Sequence, residues 1–457
     1  AMFGLLHVAS ADTRPNVIMI MADDLGYGDV GFNGNDRIIT PSLDRLAEEG
    51  VVLDRFYTSA SICSPSRAAF LTGRHHYRSG VLAAHTAGMR TGEVTIAEAL
   101  REHGYATGFF GKWHLGWVRP DDPSDRGHYS PPWQHGFDVA FATRSAVPTW
   151  DPNLTPFDIF GRKRGEKWHE VSPYVLNGEP VTENIEGDDS RVIVDRVIPF
   201  IEENVRKDQP FAAVVWFHTP HDPVVAGPDY LAMYESLESE QQRHFYGAIT
   251  AMDEQIGRLR RVLDDLGVAD DTIVFFTSDN GPSGPTTQKG VASAGPFRGH
   301  KHTHYEGGVR VPSIVAWPGR LEPATTEYMS GLVDYFPTLM DMLGIDASEM
   351  LRDRPMDGLS LHPVLTGEER GDRPGYLTAG YMRLYQDDNG LAIIQDRFKL
   401  IRPRRSKEFE LYDLENDPAE TTDLAAEMPD KVRELSATLD EWWASAMNSL
   451  KGADYRY

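Results

Sequence analysis

The chain has 457 residues, 40% of them hydrophobic, with 45 Lys+Arg against 69 Asp+Glu for a formal net charge of −24, and a single cysteine, Cys63. This length admits two or three domains, or one large α/β body with a smaller appendage. The acidic balance argues against a nucleic-acid partner, one cysteine excludes an intrachain disulfide, and no apolar run approaches the roughly 18–20 residues of a membrane span.

Residues 1–11, ending in Ala9-Ser10-Ala11, read as a signal-peptide remnant or an appended segment, which predicts a periplasmic or secreted protein. Val17 to Met21 is a short apolar run ending in polar residues, as expected of a buried parallel strand. "TPSLDRLAEEG" predicts a helix with Thr40 as N-cap, Pro41 at its first position and Gly50 as its stop. "TIAEALREHG" predicts another, with Thr95 and Glu98 spaced as a capping box and Gly104 at its end. "ATGFFGKWHLG", "PFAAVVWFHTPHDP" and "DTIVFFTSDNG" are further apolar strands that each run into a polar cluster. Four such strands fit an open α/β sheet with ligands at its carboxyl edge. The stretch from Tyr129 to Val175 is irregular and reads as loops over the site, its Tyr129, Trp133, Trp150, Phe157 and Trp168 offering faces to sugar rings. "GRKRGEKWH" and "RPRRSK" are basic islands that either attract a sulfated chain or form solvated faces. From Gly367 the pattern changes to short strands and an amphipathic helix through "KVRELSATLDEWW". The expected division is an α/β catalytic domain over 12–366 and an α+β subdomain over 367–457.

"SICSPSRAAFLTGRH" holds the lone cysteine. Ala68, Ala69, Phe70 and Leu71 predict a helix that puts Cys63 at its N-terminus, where backbone N–H groups favour an anion. The bland reading is a small buried hydrophobe. Against it, a chance C-x-P-S-R match is expected on the order of once in a thousand chains of this length. Asp23-Asp24 and Asp279-Asn280, each at a strand end, supply oxygen ligands only, a set that suits Ca²⁺ or Mg²⁺ and not zinc. Either pair taken alone is an ordinary cap or turn.

Cys63-x-Pro65-Ser66-Arg67 resembles the signature of the type I sulfatases of the alkaline-phosphatase superfamily. "MADDLGYGDVG", "GKWHLG", "FTSDNG", "KHTHYEGGVRVPSIVAWPG" and "LYDLENDPAE" extend the resemblance from Arg14 to about Trp443. It implies a central mixed, mostly parallel sheet flanked by helices, with a smaller antiparallel sheet plus helix at the C-terminus. It implies hydrolysis of sulfate esters after a maturation enzyme converts Cys63 to Cα-formylglycine. The aldehyde hydrates to a gem-diol; one hydroxyl attacks sulfur, and the other later loses its proton and expels sulfate, a second step that serine lacks.

The same resemblance implies one Ca²⁺ on Asp23, Asp24, Asp279 and Asn280, and Arg67 holding the diol. Lys112 and Lys301 are then assigned to the sulfate oxygens, His114 to deprotonating formylglycine, and His221 to protonating the leaving alkoxide, with His218 as its rival. His218, His300, His302, Arg144 and Trp150 are candidate substrate contacts. A sulfated saccharide is the expected substrate, because the aromatic and basic loops suggest a pocket wider than one ring. The alternatives are a phosphonate or phosphate ester hydrolase on the same scaffold, and a non-catalytic protein that binds sulfated glycans.

Overall fold

The structure, a computed structural model, describes residues 14–85, 88–121, 127–158, 162–168, 173–381, 390–403 and 405–455. The leader-like residues 1–11 lie outside the described residues, as do parts of both basic islands.

Sixteen strands are described: β1 (Asn16–Ala22), β2 (Val51–Leu53), β3 (Phe56–Tyr57), β4 (Ala106–Lys112), β5 (Val139–Thr143), β6 (Val175–Leu176), β7 (Glu179–Pro180), β8 (Phe211–Trp216), β9 (Thr272–Ser278), β10 (Ser313–Ala316), β11 (Ala324–Thr326), β12 (Ser330–Gly331), β13 (Leu377–Tyr381), β14 (Gly390–Gln395), β15 (Phe398–Arg402) and β16 (Glu410–Asp413). Ten form the central sheet, in the order β11-β2-β10-β9-β1-β8-β4-β5-β6-β7. Its middle, β9-β1-β8-β4-β5, is parallel throughout. Antiparallel pairings of β10 with β9 and β2, and of β6 with β5 and β7, make the flanks mixed. All five central strands therefore end on one edge.

Alternation along β1 shows why the sheet is buried on both faces. Val17, Met19 and Met21 join one apolar layer, with Phe70 and Leu71 of the Cys63–Thr72 helix and Ile96 and Leu100 of the Ile96–Glu102 helix. Ile18, Ile20 and Ala22 join the other, with Leu43 and Leu46, Val192 and Val197, and Ile249 and Met252 from the helices Pro41–Glu49, Asp189–Arg206 and Glu240–Asp265. The period of two thus feeds two helical layers around one sheet. Thr95 and Glu98 form the expected capping box. Thr40 stands at its N-cap position, but its hydroxyl accepts from Gly31 N and donates to the Asp44 side chain instead of capping a backbone N–H of the helix.

The segment from Tyr129 to Val175 departs from the loop expectation, because β5 lies inside it and pairs with β4. Its aromatics mostly pack. Trp168 is buried in the second apolar layer, Trp133 packs against the first, and the Trp150 ring occupies the space that a side chain at Gly227 would need.

Strands β13 to β16 form a separate antiparallel sheet in chain order. Leu391, Ile393, Leu400 and Leu411 pack on Leu435, Leu439 and Trp442 of the Pro429–Leu450 helix. Ala392, Ile394, Ile401 and Tyr412 face Tyr57, Val309 and Ala69, the last on the helix that begins with Cys63. This small sheet therefore buttresses the helix that begins with Cys63. Buried Lys399 on β15 bonds Glu306 at 2.8 Å and Glu420 at 3.0 Å, and Glu306 N donates to Glu420 at 2.6 Å. "LYDLENDPAE" is thus tied to "YEGG" through a buried ion network. Among the described residues, no helix is long and apolar enough to cross a membrane.

Candidate active site

Four parallel strands deliver the predicted residues to one place. β1 runs into Asp23-Asp24, β9 into Asp279-Asn280, β4 ends at Lys112 with His114 two residues on, and β8 leads to His218 and His221. Backbone hydrogen bonds continue the sheet register into these turns, with Asp23 N donating to Thr219 O at 2.9 Å and Asp279 N to Ala22 O at 3.2 Å. Asp24 then adopts φ 64, a left-handed turn that ends the strand.

Cys63 is 2% exposed and is the first residue of its helix, which no side chain caps. Burial pushes its thiol up to about 11, against the pull of Lys112 and Lys301. An unmodified thiol here carries almost no thiolate at neutral pH and is a poor nucleophile.

One turn on, Arg67 is fully buried. Its Nε and one terminal nitrogen reach Asp279 Oδ2 at 3.0 and 2.7 Å, and the other terminal nitrogen donates to Lys112 O at 2.9 Å. Arg67 also stacks 5.0 Å from the centre of the Trp216 ring. Its contacts lock together the turns after β4 and β9.

Lys112 Nζ lies 2.5 Å from Asp23 Oδ2, and Lys301 Nζ lies 2.6 and 2.8 Å from the two oxygens of Asp24. Burial alone would raise both aspartates, but Lys112 beside Asp23 and Lys301 beside Asp24 hold them below the usual carboxylate range. Asp279 moves the other way, up to about 7, through burial and then the charge of Asp23. The same contact with Asp24 raises Lys301 in spite of its burial.

The oxygen set fits a hard cation. Asp23, Asp24, Cys63 and His221 each offer a ligand atom within 4.8 Å of one another. Among the described residues, Asp23 Oδ1 and Asn280 Oδ1 are buried and have no hydrogen-bond partner, while Asn280 Nδ2 is held by Asp24 Oδ1 at 2.7 Å. Two carbonyl-type oxygens fixed in place and left unsatisfied are what a bound cation needs. Asp279 is more committed, since Oδ1 accepts from Asp24 N at 3.1 Å and Oδ2 from Arg67.

Of the histidines, His221 donates Nδ1–H to Asp222 O at 2.7 Å, which leaves Nε2 bare, 3.8 Å from Asp24 Oδ2. Burial, then Lys112 and Lys301, push it down to about 4. His114 is 6% exposed at φ 56, and burial followed by Lys112 lowers it well below its ordinary value. His218 does not reach this cluster. It is fully buried, with Nδ1 on Asp189 Oδ2 at 2.8 Å and Nε2 on Thr143 Oγ1 at 2.7 Å, so both ring nitrogens are spent on the framework.

The other candidate contacts are placed as follows. His302 is exposed at φ 73, with its ring 5.7 Å from Tyr381, and Tyr381 packs in one cluster with Cys63. His300 turns back onto Lys301 O at 2.8 Å. Arg144 lies 5.1 Å from the centre of the Trp117 ring, and its carbonyl accepts from His114 N. Trp150 packs on Gly227. Sequence reasoning missed His85, whose Nε2 lies 3.2 Å from Nε2 of His114. A lone histidine among Ala, Thr and Gly has no spacing signal. A cavity of about 350 Å³ beside Arg78, Asp357 and Trp442 contains none of the catalytic candidates.

Comparison with known proteins agrees with this geometry. The sulfatase family profile matches residues 15–345, and that of the C-terminal part of N-sulphoglucosamine sulphohydrolase matches residues 298–445. N-acetylgalactosamine-6-sulfatase of Canis lupus familiaris is 31% identical over 411 residues, covering 86% of this chain and 73% of its own. Steryl-sulfatase of Mus musculus is 32% identical over 458 residues, covering 84% and 70%. The crystal structure of Ps i-CgsB in complex with k-i-k-neocarrahexaose superposes with a TM-score of 0.83 at 26% identity, over 97% of each chain. By motif, fold and relatives alike, the chain belongs to the type I sulfatases of the alkaline-phosphatase superfamily and is a sulfuric ester hydrolase.

Proposed function

We propose that this sulfatase removes sulfate from saccharides, using Cys63 matured to Cα-formylglycine and one Ca²⁺ held by Asp23, Asp24, Asp279 and Asn280. The observation that carries the reading is the packing of Arg67, Lys112 and Lys301 against Asp23, Asp24 and Asp279 around Cys63. Three cations face three carboxylates, so the protein's own charges balance. A divalent cation held by Asp23, Asp24, Asp279 and Asn280 would make the site net positive and would supply positive charge to the sulfate group. Hydrated formylglycine supplies the hydroxyl nucleophile that the buried thiol cannot.

The chain's own residues do the rest. Lys301 spends two of its three N–H donors on Asp24, and Lys112 spends one on Asp23, which leaves donors for the equatorial sulfate oxygens. Arg67 fixes the nucleophile's helix against Asp279 and so orients residue 63. His114 accepts the nucleophile's proton. His221, anchored through Nδ1, presents Nε2 for proton donation to the leaving alkoxide. Its depressed basicity is relieved when an anionic sulfate ester enters between Lys112 and Lys301.

Saccharide specificity is supported by relatives named for N-acetylgalactosamine-6-sulfate and by a structure bound to neocarrahexaose. Maturation must precede folding, because the folded chain buries Cys63. Export is supported by the A-x-A stretch at residues 9–11. The test is a turnover screen on defined sulfated mono- and oligosaccharides, with matched aryl sulfate and aryl phosphate esters. Preference for a sulfated sugar supports the reading, whereas turnover of aryl or steroid sulfates alone assigns a small-molecule substrate.

A further inference from the structure

His85 and His114 lie 29 residues apart, yet their Nε2 atoms are 3.2 Å apart and their ring centroids 4.4 Å apart. Both have left-handed backbones, φ 60 and φ 56, a conformation seldom kept without a reason in the surrounding structure. Nδ1 of His114 is buried and has no hydrogen-bond partner among the described residues. His85 is exposed on its outer edge, while its inner edge packs against His114.

Between two imidazoles facing through Nε2, one donates and the other accepts. If His85 donated, His114 would carry its proton on Nδ1, leaving a buried N–H with no acceptor. If His114 donates, its Nδ1 is a lone pair. An orphaned buried N–H is the rarer and costlier of the two. When His114 takes up a proton, its Nε2–H···Nε2 bond to His85 becomes charge-assisted and strengthens.

We infer that His85 is a positioning residue for His114: it accepts the His114 Nε2–H and thereby keeps Nδ1 bare as the proton acceptor. The inference rests on the sulfatase reading above for its chemistry, but the tautomer itself belongs to the unmodified chain. No bond to substrate is assigned to His85. It acts as the orienting third group of a nucleophile–base–orienter series, with a neutral acceptor in place of a carboxylate.

Two measurements test it. In ¹⁵N-histidine-labelled protein with Cys63 unmodified, long-range ¹H–¹⁵N NMR reads each ring's tautomer, with His114→Asn giving the assignment. His114 should be a pure Nε2–H tautomer, should lose that state in His85→Leu, and should keep it in His85→Gln, whose amide oxygen still accepts. In matured protein, His85→Leu should lower kcat on an aryl sulfate by roughly 10–10²-fold with KM nearly unchanged, and His85→Gln should recover most of the loss. An Nδ1–H tautomer of His114 in the parent protein, or a His85→Leu variant that keeps both tautomer and kcat, overturns the inference. A matured parent protein inactive on every sulfate ester would instead overturn the proposed function, while the NMR result still decides the pair.

Discussion

Lys301 Nζ grips both oxygens of Asp24, at 2.6 and 2.8 Å, although the two residues are 277 positions apart. The contact ties the loop after β9 to the end of β1. It also makes Lys301 part of the scaffold for Asp24.

The two catalytic assignments nearest this contact are separable. If His221 protonates the alkoxide, His221→Ala should lose most on sugar sulfates, whose alkoxides leave poorly without a proton, and far less on an activated aryl sulfate. Lys301→Ala removes a donor shared by both reactions and should lower both by similar factors of roughly 10²–10³. The ratio of the two losses, from kcat/KM on both substrates, is the readout. Equal losses for His221→Ala would remove it as the acid.

Chelation should abolish activity without unfolding the chain, because Lys112 and Lys301 remain on Asp23 and Asp24. Calcium should restore activity and raise Tm, with stabilisation of about 2.7 kcal/mol at a hundredfold excess over Kd. Activity restored by zinc alone would contradict the oxygen-ligand argument.

Arg67→Ala should be strongly destabilising, by roughly 3–5 kcal/mol in urea unfolding, because it strands buried Asp279. Adding Asp279→Asn should recover a substantial part of that loss. Additive losses in this double-mutant cycle would show that the two side chains are not coupled.

His76 and His135 are buried and held down to about 4, chiefly by desolvation. Their folded values lie below the ordinary 6.5, so the stability they contribute is complete above that pH and is lost as pH falls toward 4. Each should steepen the decline by about 1.4 kcal/mol per pH unit in that window. His135→Gln, which keeps a donor for Ser130 Oγ, should flatten the decline measured by urea unfolding from pH 7 to 5. Parallel curves for parent and variant would refute the assignment.

Much of this was legible in the sequence, and the exceptions have physical causes. β1, β4, β8 and β9 are apolar runs that stop at chemistry, so both their burial and their common edge could be read. β5 could not, because "VAFAT" is short and sits among Pro and Trp residues that suggest loop. The "FHTPH" stretch put His221 forward as the acid but kept His218 as its rival. Only the fold shows His218 turning inward to Asp189 while His221 faces Asp24. Trp168 was chosen for its aromatic face, and burial, not a ligand, uses that face. His85 required tertiary structure, since its meaning lies wholly in its contact with His114.

The most direct test of the account is sulfate release, followed by ion chromatography, from 6-sulfated N-acetylgalactosamine and sulfated carrageenan oligosaccharides. The protein is produced with a maturation enzyme and compared with Cys63→Ser, and mass analysis of the Ser61–Arg67 peptide is read on the same samples. The account predicts sulfate release from at least one saccharide in proportion to the fraction of residue 63 in which sulfur is replaced by oxygen, and none from Cys63→Ser. Full activity from a sample whose Cys63 is entirely thiol would contradict it.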